Sequence, residues 1–382
     1  MPRLRGLAGE RTGGSTVAVS RGQPERASVS GWARNVCMVT IRDVAEAAGV
    51  SASTVSYAFS GNKRLPPETV ARVRESARKL GYWPDPTARA LSLGKTNIIG
   101  LLASVAPQQP EADADIFMRF VRSAMFAAKE RGYDLLVMGR DEDQTVTDPI
   151  VDALLVMDVL MRDHRLPMIR SIGKPAVVVG MPEDTAGLSA VDLDFAGAAR
   201  LAVEHLAELG HRDISIVGSL RAGEELSWAT RFRTGAMDAG RAAGASVSFQ
   251  SVGAESDNFD RWFDELLEAR PDTTAIILHN VPLLDALLRC SRERGFAIPE
   301  DLSVITLAPI EQMEPLYPDL TVLDLPGRKM LERAVDRAVR ELAGEPAGVI
   351  ELIPPRLLTK RSSGPARLGG LVSALHQRRD PA

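Results

Sequence analysis

Residues 40–91 read TIRDVAEAAGVSASTVSYAFSGNKRLPPETVARVRESARKLGYWPDPTARAL. Two short helical patterns meet at a tight turn containing Gly49, a third helix follows, and a proline-punctuated segment closes on Leu91. Thr40 can cap the first helix, with Asp43 completing a capping-box arrangement. Ile41, Val44, Ala45 and Ala48 share one face, Gly49 ends the helix and Val50 packs into the angle. Ser51 caps a second helix running to about Phe59, with Val55, Ala58 and Phe59 inward and Ala52, Ser53, Ser56 and Tyr57 outward. Pro67 opens the third helix where proline is tolerated. Its stripe is Val70, Val73, Ala77 and Leu80, and Gly81 stops it. None of these helices could bury its stripe alone, whereas three together make a small core. This is the pattern of a helix-turn-helix reader of DNA.

The charge distribution agrees. Residues 1–97 hold 15 Lys/Arg against 7 Asp/Glu, so this part carries +8 while the rest of the chain carries −12. A basic head on an acidic body points to a polyanionic partner for the head alone. Residues 1–37 are rich in Gly, Ser, Arg and Ala without periodicity and read as a disordered extension. Met38 then stands as an alternative start, or the stretch is a basic arm that touches DNA. No run of 18 apolar residues suggests a membrane span, and no apolar segment follows Arg3 and Arg5 to make a secretory signal. Cys37 and Cys290 have neither metal-type nor framework spacing. They read as free thiols in a reducing, cytoplasmic setting.

From Ile98 the pattern changes to β-rich apolar runs alternating with amphipathic helices. The expected strands are 98–103, 135–138, 153–156, 176–179, 214–217, 275–278 and 303–307. Helices are expected over 117–131, 197–209, 228–243 and 283–294. Such alternation implies parallel sheets covered on both faces, and about 270 residues suit two lobes. Ligands of such folds bind in the crevice at the carboxyl ends of the strands. The expected divisions are therefore an extension 1–37, a head 38–83, a linking segment 84–97, a two-lobed body 98–363 and a loose tail 364–382.

The head resembles the lactose-repressor/galactose-repressor (LacI/GalR) family of bacterial transcription regulators. The resemblance rests on Thr40-Ile41-Arg42-Asp43-Val44-Ala45, Ala48-Gly49-Val50-Ser51, Thr54-Val55-Ser56, Gly81-Tyr82, Pro84 and Ala88-Arg89-Ala90-Leu91. In the body, Ala202-Val203-Glu204-His205-Leu206 with Leu209-Gly210-His211, Pro299-Glu300-Asp301-Leu302-Ser303-Val304 and Asp319-Leu320-Thr321 are similar to later family landmarks. The resemblance implies a small all-α helix-turn-helix head on a two-lobed α/β body of the periplasmic-binding-protein kind, with parallel sheets. It also implies a homodimer that binds a pseudo-palindromic operator in double-stranded DNA, acts most often as a repressor, and responds to a small-molecule effector.

By that resemblance Ala52, Ser53 and Tyr57 occupy the positions that read bases in the major groove. Tyr57 stands where arginine is common, so a bidentate guanine contact is lost; its ring could instead cover the small core. Thr40, Ser51, Thr54, Ser56 and Thr69 are candidates for phosphate contacts, which position the protein without specifying sequence. Lys63, Arg64, Arg72, Arg74, Arg78 and Lys79 would release counterions. Arg89 and Leu91 fall in the family's hinge helix, where a leucine wedges into the minor groove; the alternative for Leu91 is a buried linker residue.

In the body the resemblance weakens. Val281 follows Asn280 where sugar-binding members place an aspartate. Leu307-Ala308-Pro309 stands where they place an aspartate pair, and Phe232 stands three before Gly235 where a pocket arginine is usual. Ala114-Asp115-Ile116-Phe117 replaces Asn-Pro-Phe-Phe. The effector candidates are Asp115, Phe117, Arg140, Asp194, Arg231, Arg233, His279 and Asn280, although Asp194 could simply cap the helix near Gly197. An ordinary neutral hexose is disfavoured. The remaining choices are a different ligand, a rearranged site, or a vestigial pocket kept for dimerisation.

Other classes fit poorly. Leu93-Gly94-Lys95-Thr96 matches the end of a phosphate loop, but Arg89 stands where its first glycine belongs. No dinucleotide fingerprint, His-Glu-x-x-His or Gly-x-Ser-x-Gly occurs, so neither catalysis, cofactor nor metal is expected. An exported solute-binding receptor would share the body but would carry a signal peptide and lack the basic head.

Overall fold

The computed structural model describes residues 39–60, 65–83, 94–103, 111–139, 150–218, 225–252, 256–279 and 281–379. Contacts divide the chain into two units, Met1–Asp85 and Pro86–Ala382.

In the first unit, α1 (Ile41–Ala48), α2 (Ala52–Ser60) and α3 (Pro67–Leu80) pack pairwise around a small core. Val44, Val55 and Val73 are its fully enclosed side chains, one from each helix. The turn after α1 needs a left-handed residue, and Gly49 supplies it at φ 63°; glycine adopts that conformation without a Cβ penalty. Arg72 of α3 donates from Nε to the Ala48 carbonyl at 3.0 Å. It thereby places a cation on the carbonyl end of α1, where the helix dipole favours one.

The second unit contains two six-stranded sheets. In the first, β1 (Ile98–Ala103) lies between β2 (Asp134–Gly139) and β3 (Ala153–Val156). β4 (Ala176–Val179), β5 (Ser189–Leu193) and β11 (Ile350–Ile353) follow outward, all parallel. The second repeats that order with β6 (Asp213–Gly218) between β7 (Ser246–Ser251) and β8 (Ala275–Leu278). β9 (Ser303–Ala308), β10 (Thr321–Asp324) and an antiparallel β12 (Leu357–Leu358) complete it. The inner strands of both sheets are buried on both faces and accordingly read as apolar runs.

The helices of the first lobe are α4 (Glu111–Glu130), α5 (Arg165–Ser171) and α11 (Gly327–Leu342). Those of the second are α6 (Phe195–Glu208), α7 (Ser227–Ala243), α8 (Ser256–Ala269), α9 (Pro282–Arg294), α10 (Ile310–Leu316) and α12 (Gly370–Arg379). The chain crosses between lobes after Leu193, after Asp324 and after Ile353. α11 therefore returns to the first lobe, where Met330, Leu331, Ala334, Val335 and Ala338 join the core under the first sheet.

One sequence expectation needs correction. The stretch from Gly364, read as a loose tail, is seated on the second lobe. The Gly364 carbonyl lies 3.0 Å from His211 Nε2 and accepts from Ser303 Oγ at 3.1 Å. Ala366 N donates to Leu209 O at 2.8 Å, and Leu371 of α12 is fully buried. Buried polar partners and one apolar anchor, rather than a long periodic stripe, hold this segment, so hydropathy alone gave no signal for it. Among the described residues no helix is long and apolar enough to cross a membrane.

Candidate DNA interface and effector crevice

The interface in the head is built by caps and periodicity. The Asp43 carboxylate accepts from Thr40 N at 2.7 Å and from Thr40 Oγ1 at 2.9 Å, tying down the start of α1. Ser51 Oγ accepts from Thr54 N at 3.1 Å and lies 2.9 Å from Thr54 Oγ1, which fixes the start of α2. Because Val55 and Ala58 are locked into the core, the helical repeat turns Ser53, Ser56 and Tyr57 to solvent. Tyr57 is 51% exposed. Ala52, expected outward, is half-buried against that core. Its methyl is partly spent on packing.

Thr40 and Ser51 are exposed at the starts of α1 and α2, and Thr69 is half-buried in the first turn of α3. Free N–H groups and the positive dipole end make such helix starts suited to phosphate. Arg72 is committed to Ala48 and Arg78 pairs with Glu75 at 2.5 Å. Lys63, Arg64, Arg89 and Leu91 lie outside the described residues.

In the body, the second-lobe strands end in an aromatic cluster. His279 follows β8 and is 2% exposed, with its ring centroid 4.4 Å from Trp228, 4.5 Å from Phe232 and 5.7 Å from Phe249. Phe195 continues the cluster 5.9 Å from Trp228. The imidazole packs closely on β6 at Gly218: a Cβ at 218 would lie 3.0 Å from the His279 Cβ and would have to push it back by a few tenths of an ångström. Neither ring nitrogen of His279 has a partner, and burial pushes its pKa down to about 3. The ring is therefore neutral at ordinary pH.

The lobes meet along the first-lobe loop after β3 and the start of α7. Met161 N donates to Glu225 O at 2.8 Å and Ser227 N to Val159 O at 2.9 Å. Arg231 donates from Nε to the Met181 carbonyl and from Nη2 to the Pro182 carbonyl at 2.9 Å. Beside it Asp192 is 1% exposed with Oδ2 unpaired, and burial pushes this carboxyl up to about 8.

Of the eight effector candidates, the structure draws His279 and Arg231 toward this seam. Asp194 instead has a structural role, because its Oδ1 accepts from Gly197 N at 2.8 Å as the cap of α6. Arg233 is exposed and Phe117 is half-buried against the first-lobe core. Arg140, Asn280 and the Asp115 side chain lie outside the described residues. Sequence reasoning missed Trp228, Phe249, Ser227 and Asp192. The signal for Trp228 was available, since an aromatic residue opens the same helix that carries Phe232. Among the described residues no cluster of His, Cys, Asp and Glu could hold a metal ion.

Comparison with known proteins settles the lineage. Residues 40–85 match the model of bacterial regulatory proteins of the lacI family, and residues 203–363 match a periplasmic binding protein-like domain. The chain belongs to the LacI family. It is 29% identical over 344 residues to the HTH-type transcriptional regulator CelR of Thermobifida fusca, covering 85% of this chain and 98% of that one. It is 27% identical to the HTH-type transcriptional repressor PurR of Pectobacterium atrosepticum, covering 86% and 99%. Among solved structures, a CelR–cellobiose complex matches with 25% identity and TM-score 0.59 over 85% of this chain and all of that one. The Lac repressor dimer bound to operator shares the fold at TM-score 0.71 and 21% identity, over 85% of this chain and 99% of that one. This LacI-family chain is a DNA-binding transcription regulator and not an enzyme.

Proposed function

We propose that this regulator binds a pseudo-palindromic operator as a homodimer, represses transcription, and answers to a small molecule held between its lobes. The observation that carries the DNA reading is α2: capped by Ser51, locked by Val55 and Ala58, and presenting Ser53, Ser56 and Tyr57 to solvent. Ala52, Ser53 and Tyr57 would read bases. Thr40, Ser51, Thr54, Ser56 and Thr69 would hold phosphates. Arg89 and Leu91, in the linking segment 84–97, would form the DNA-dependent wedge.

Support for a homodimer comes from the first lobe. Strand β2 is a sheet edge, and Leu136 and Val137 on it are exposed together with Met118, Met125 and Phe126 of α4. A free edge beside large exposed apolar side chains is a surface that proteins normally cover.

Arg231 is placed to sense lobe closure, since it bonds first-lobe carbonyls from a second-lobe helix. A second reading, in which the body binds no ligand and serves dimerisation, is favoured by one observation: Phe232, three residues before Gly235, is fully buried and offers nothing to a ligand. Genome-wide mapping of bound sites tests the operator reading. Recurrent two-fold-symmetric sites upstream of genes are expected, and binding without shared sequence would overturn it.

A further inference from the structure

Helix α2 reads ASTVSYAFS and contains no Arg, Lys, Asn, Gln, Asp or Glu. Those are the side chains that discriminate guanine, adenine or cytosine in the major groove, most of them by pairing with two atoms of a base edge at once. A reading helix without any of them must discriminate in another way.

The structure shows what it offers instead. Val55 and Ala58 are buried in the core of the head, and Ala52 and Thr54 are half-buried. The Thr54 hydroxyl lies 2.9 Å from that of Ser51 at the start of the helix. Ser53, Ser56 and Tyr57 are exposed, and their i, i+3, i+4 spacing makes them one patch. A serine hydroxyl both donates and accepts, so by itself it selects weakly among bases. The Tyr57 ring, 51% exposed, is the one large apolar surface of this patch. The major groove presents one apolar group, the C5-methyl of thymine. Burying that methyl against the ring is favourable. Over a guanine the same ring would cover two acceptors, O6 and N7, of which a phenol hydroxyl can satisfy one.

We propose that Tyr57 selects thymine, through its C5-methyl group, at one base pair of each operator half-site. Ala52, packed against the core of the head, does not supply this contact. This rests on the operator reading above.

The test uses the full chain. Duplexes selected from a random pool give the half-site, and the same selection with Tyr57→Ala identifies the pair that Tyr57 reads. A T·A pair is expected there for the parent and no preference for the variant. Uracil then replaces that thymine, which removes the methyl and leaves base pairing intact. Parent affinity should fall about fourfold for each half-site altered, the effect of one buried methyl. Tyr57→Ala should bind the thymine and uracil duplexes equally, and Tyr57→Arg should move the preference at that pair to guanine. The proposal is overturned, with a sequence-specific regulator left in place, by any of four results: equal parent affinity for the two duplexes, a thymine–uracil difference that persists in Tyr57→Ala, a guanine selected by the parent at that pair, or no pair changed by Tyr57→Ala. If the parent selects no shared sequence at all, the operator reading itself falls, and the thymine contact with it.

Discussion

Replacing Asp192 by Asn should make the body more stable and remove a pH dependence near neutrality. Asp192 sits in β5, just before the chain crosses between lobes, and is 1% exposed. Its Oδ1 accepts from Leu193 N at 2.9 Å while Oδ2 has no partner. Burial, opposed by the Leu193 N–H and by Arg231, raises the carboxyl from 3.8 to about 8. The folded state thus holds this proton more tightly than the unfolded chain does. Its contribution to stability is fully present below pH 3.8 and is lost as pH climbs toward 8. One such proton changes stability by about 1.4 kcal/mol per pH unit. Burial lowers the pKa of His205, His211 and His279, so these act in the opposite sense and mainly below 6.5. The histidine contribution is common to the parent and the Asn variant and cancels in their difference. Urea melts at pH 6.5 and 7.5 should show the parent losing about 1 kcal/mol relative to the Asn variant. At pH 7.5 the variant should be the more stable by about 2–4 kcal/mol, after about 1–3 kcal/mol is deducted for its newly buried amide hydrogens. A difference between parent and variant that stays constant over this interval would refute the reasoning.

Other perturbations address the DNA face and the assembly. Ser53→Ala should relax base preference at one operator position at a cost of about 1 kcal/mol; selection from random duplexes reads this, and unchanged selectivity would remove Ser53 from base reading. Leu91→Ala should weaken operator binding and reduce the bend, checked by gel-shift assays on phased duplexes, with equal affinity and bend counting against the wedge. Val137→Lys should place a charge on the exposed β2 edge and shift the protein to monomer in sedimentation velocity; a persistent dimer would locate the interface elsewhere.

The head was almost fully legible from sequence because each of its boundaries has a local chemical cause. Thr40 with Asp43, Ser51 with Thr54, and the left-handed Gly49 and Gly81 are all signalled within a few residues. Strands such as Ala153–Val156 and Ala275–Leu278 were equally plain, being apolar on both faces. The missed strands were those that carry polar residues or lie at edges. Ser189–Leu193 holds Asp192, Ser246–Ser251 alternates serine with apolar residues, and Ile350–Ile353 pairs only through β5. Their strand character comes from neighbours far along the chain. The crevice was least legible for the same reason. His279, Phe249 and the Trp228/Phe232 pair of α7 come from three separate segments, and nothing local in the sequence says that these segments meet.

The aromatic cluster also constrains which side chains its positions can accept. Phe232 is fully enclosed 4.5 Å from His279. An arginine restored at 232 would bring a guanidinium into contact with a buried imidazole that cannot accept a second charge. Asn280 is followed by Val281, so that position offers no carboxylate to the guanidinium. Breaking or half-building a buried ion pair costs about 3–5 kcal/mol, enough to make the single reversion harmful. Gly218 adds to the constraint, because a Cβ there would crowd the His279 side chain at 3.0 Å. The Phe232, His279 and Gly218 positions are therefore coupled through direct contact. A single substitution at 232 would be destabilising unless the residues around it changed as well.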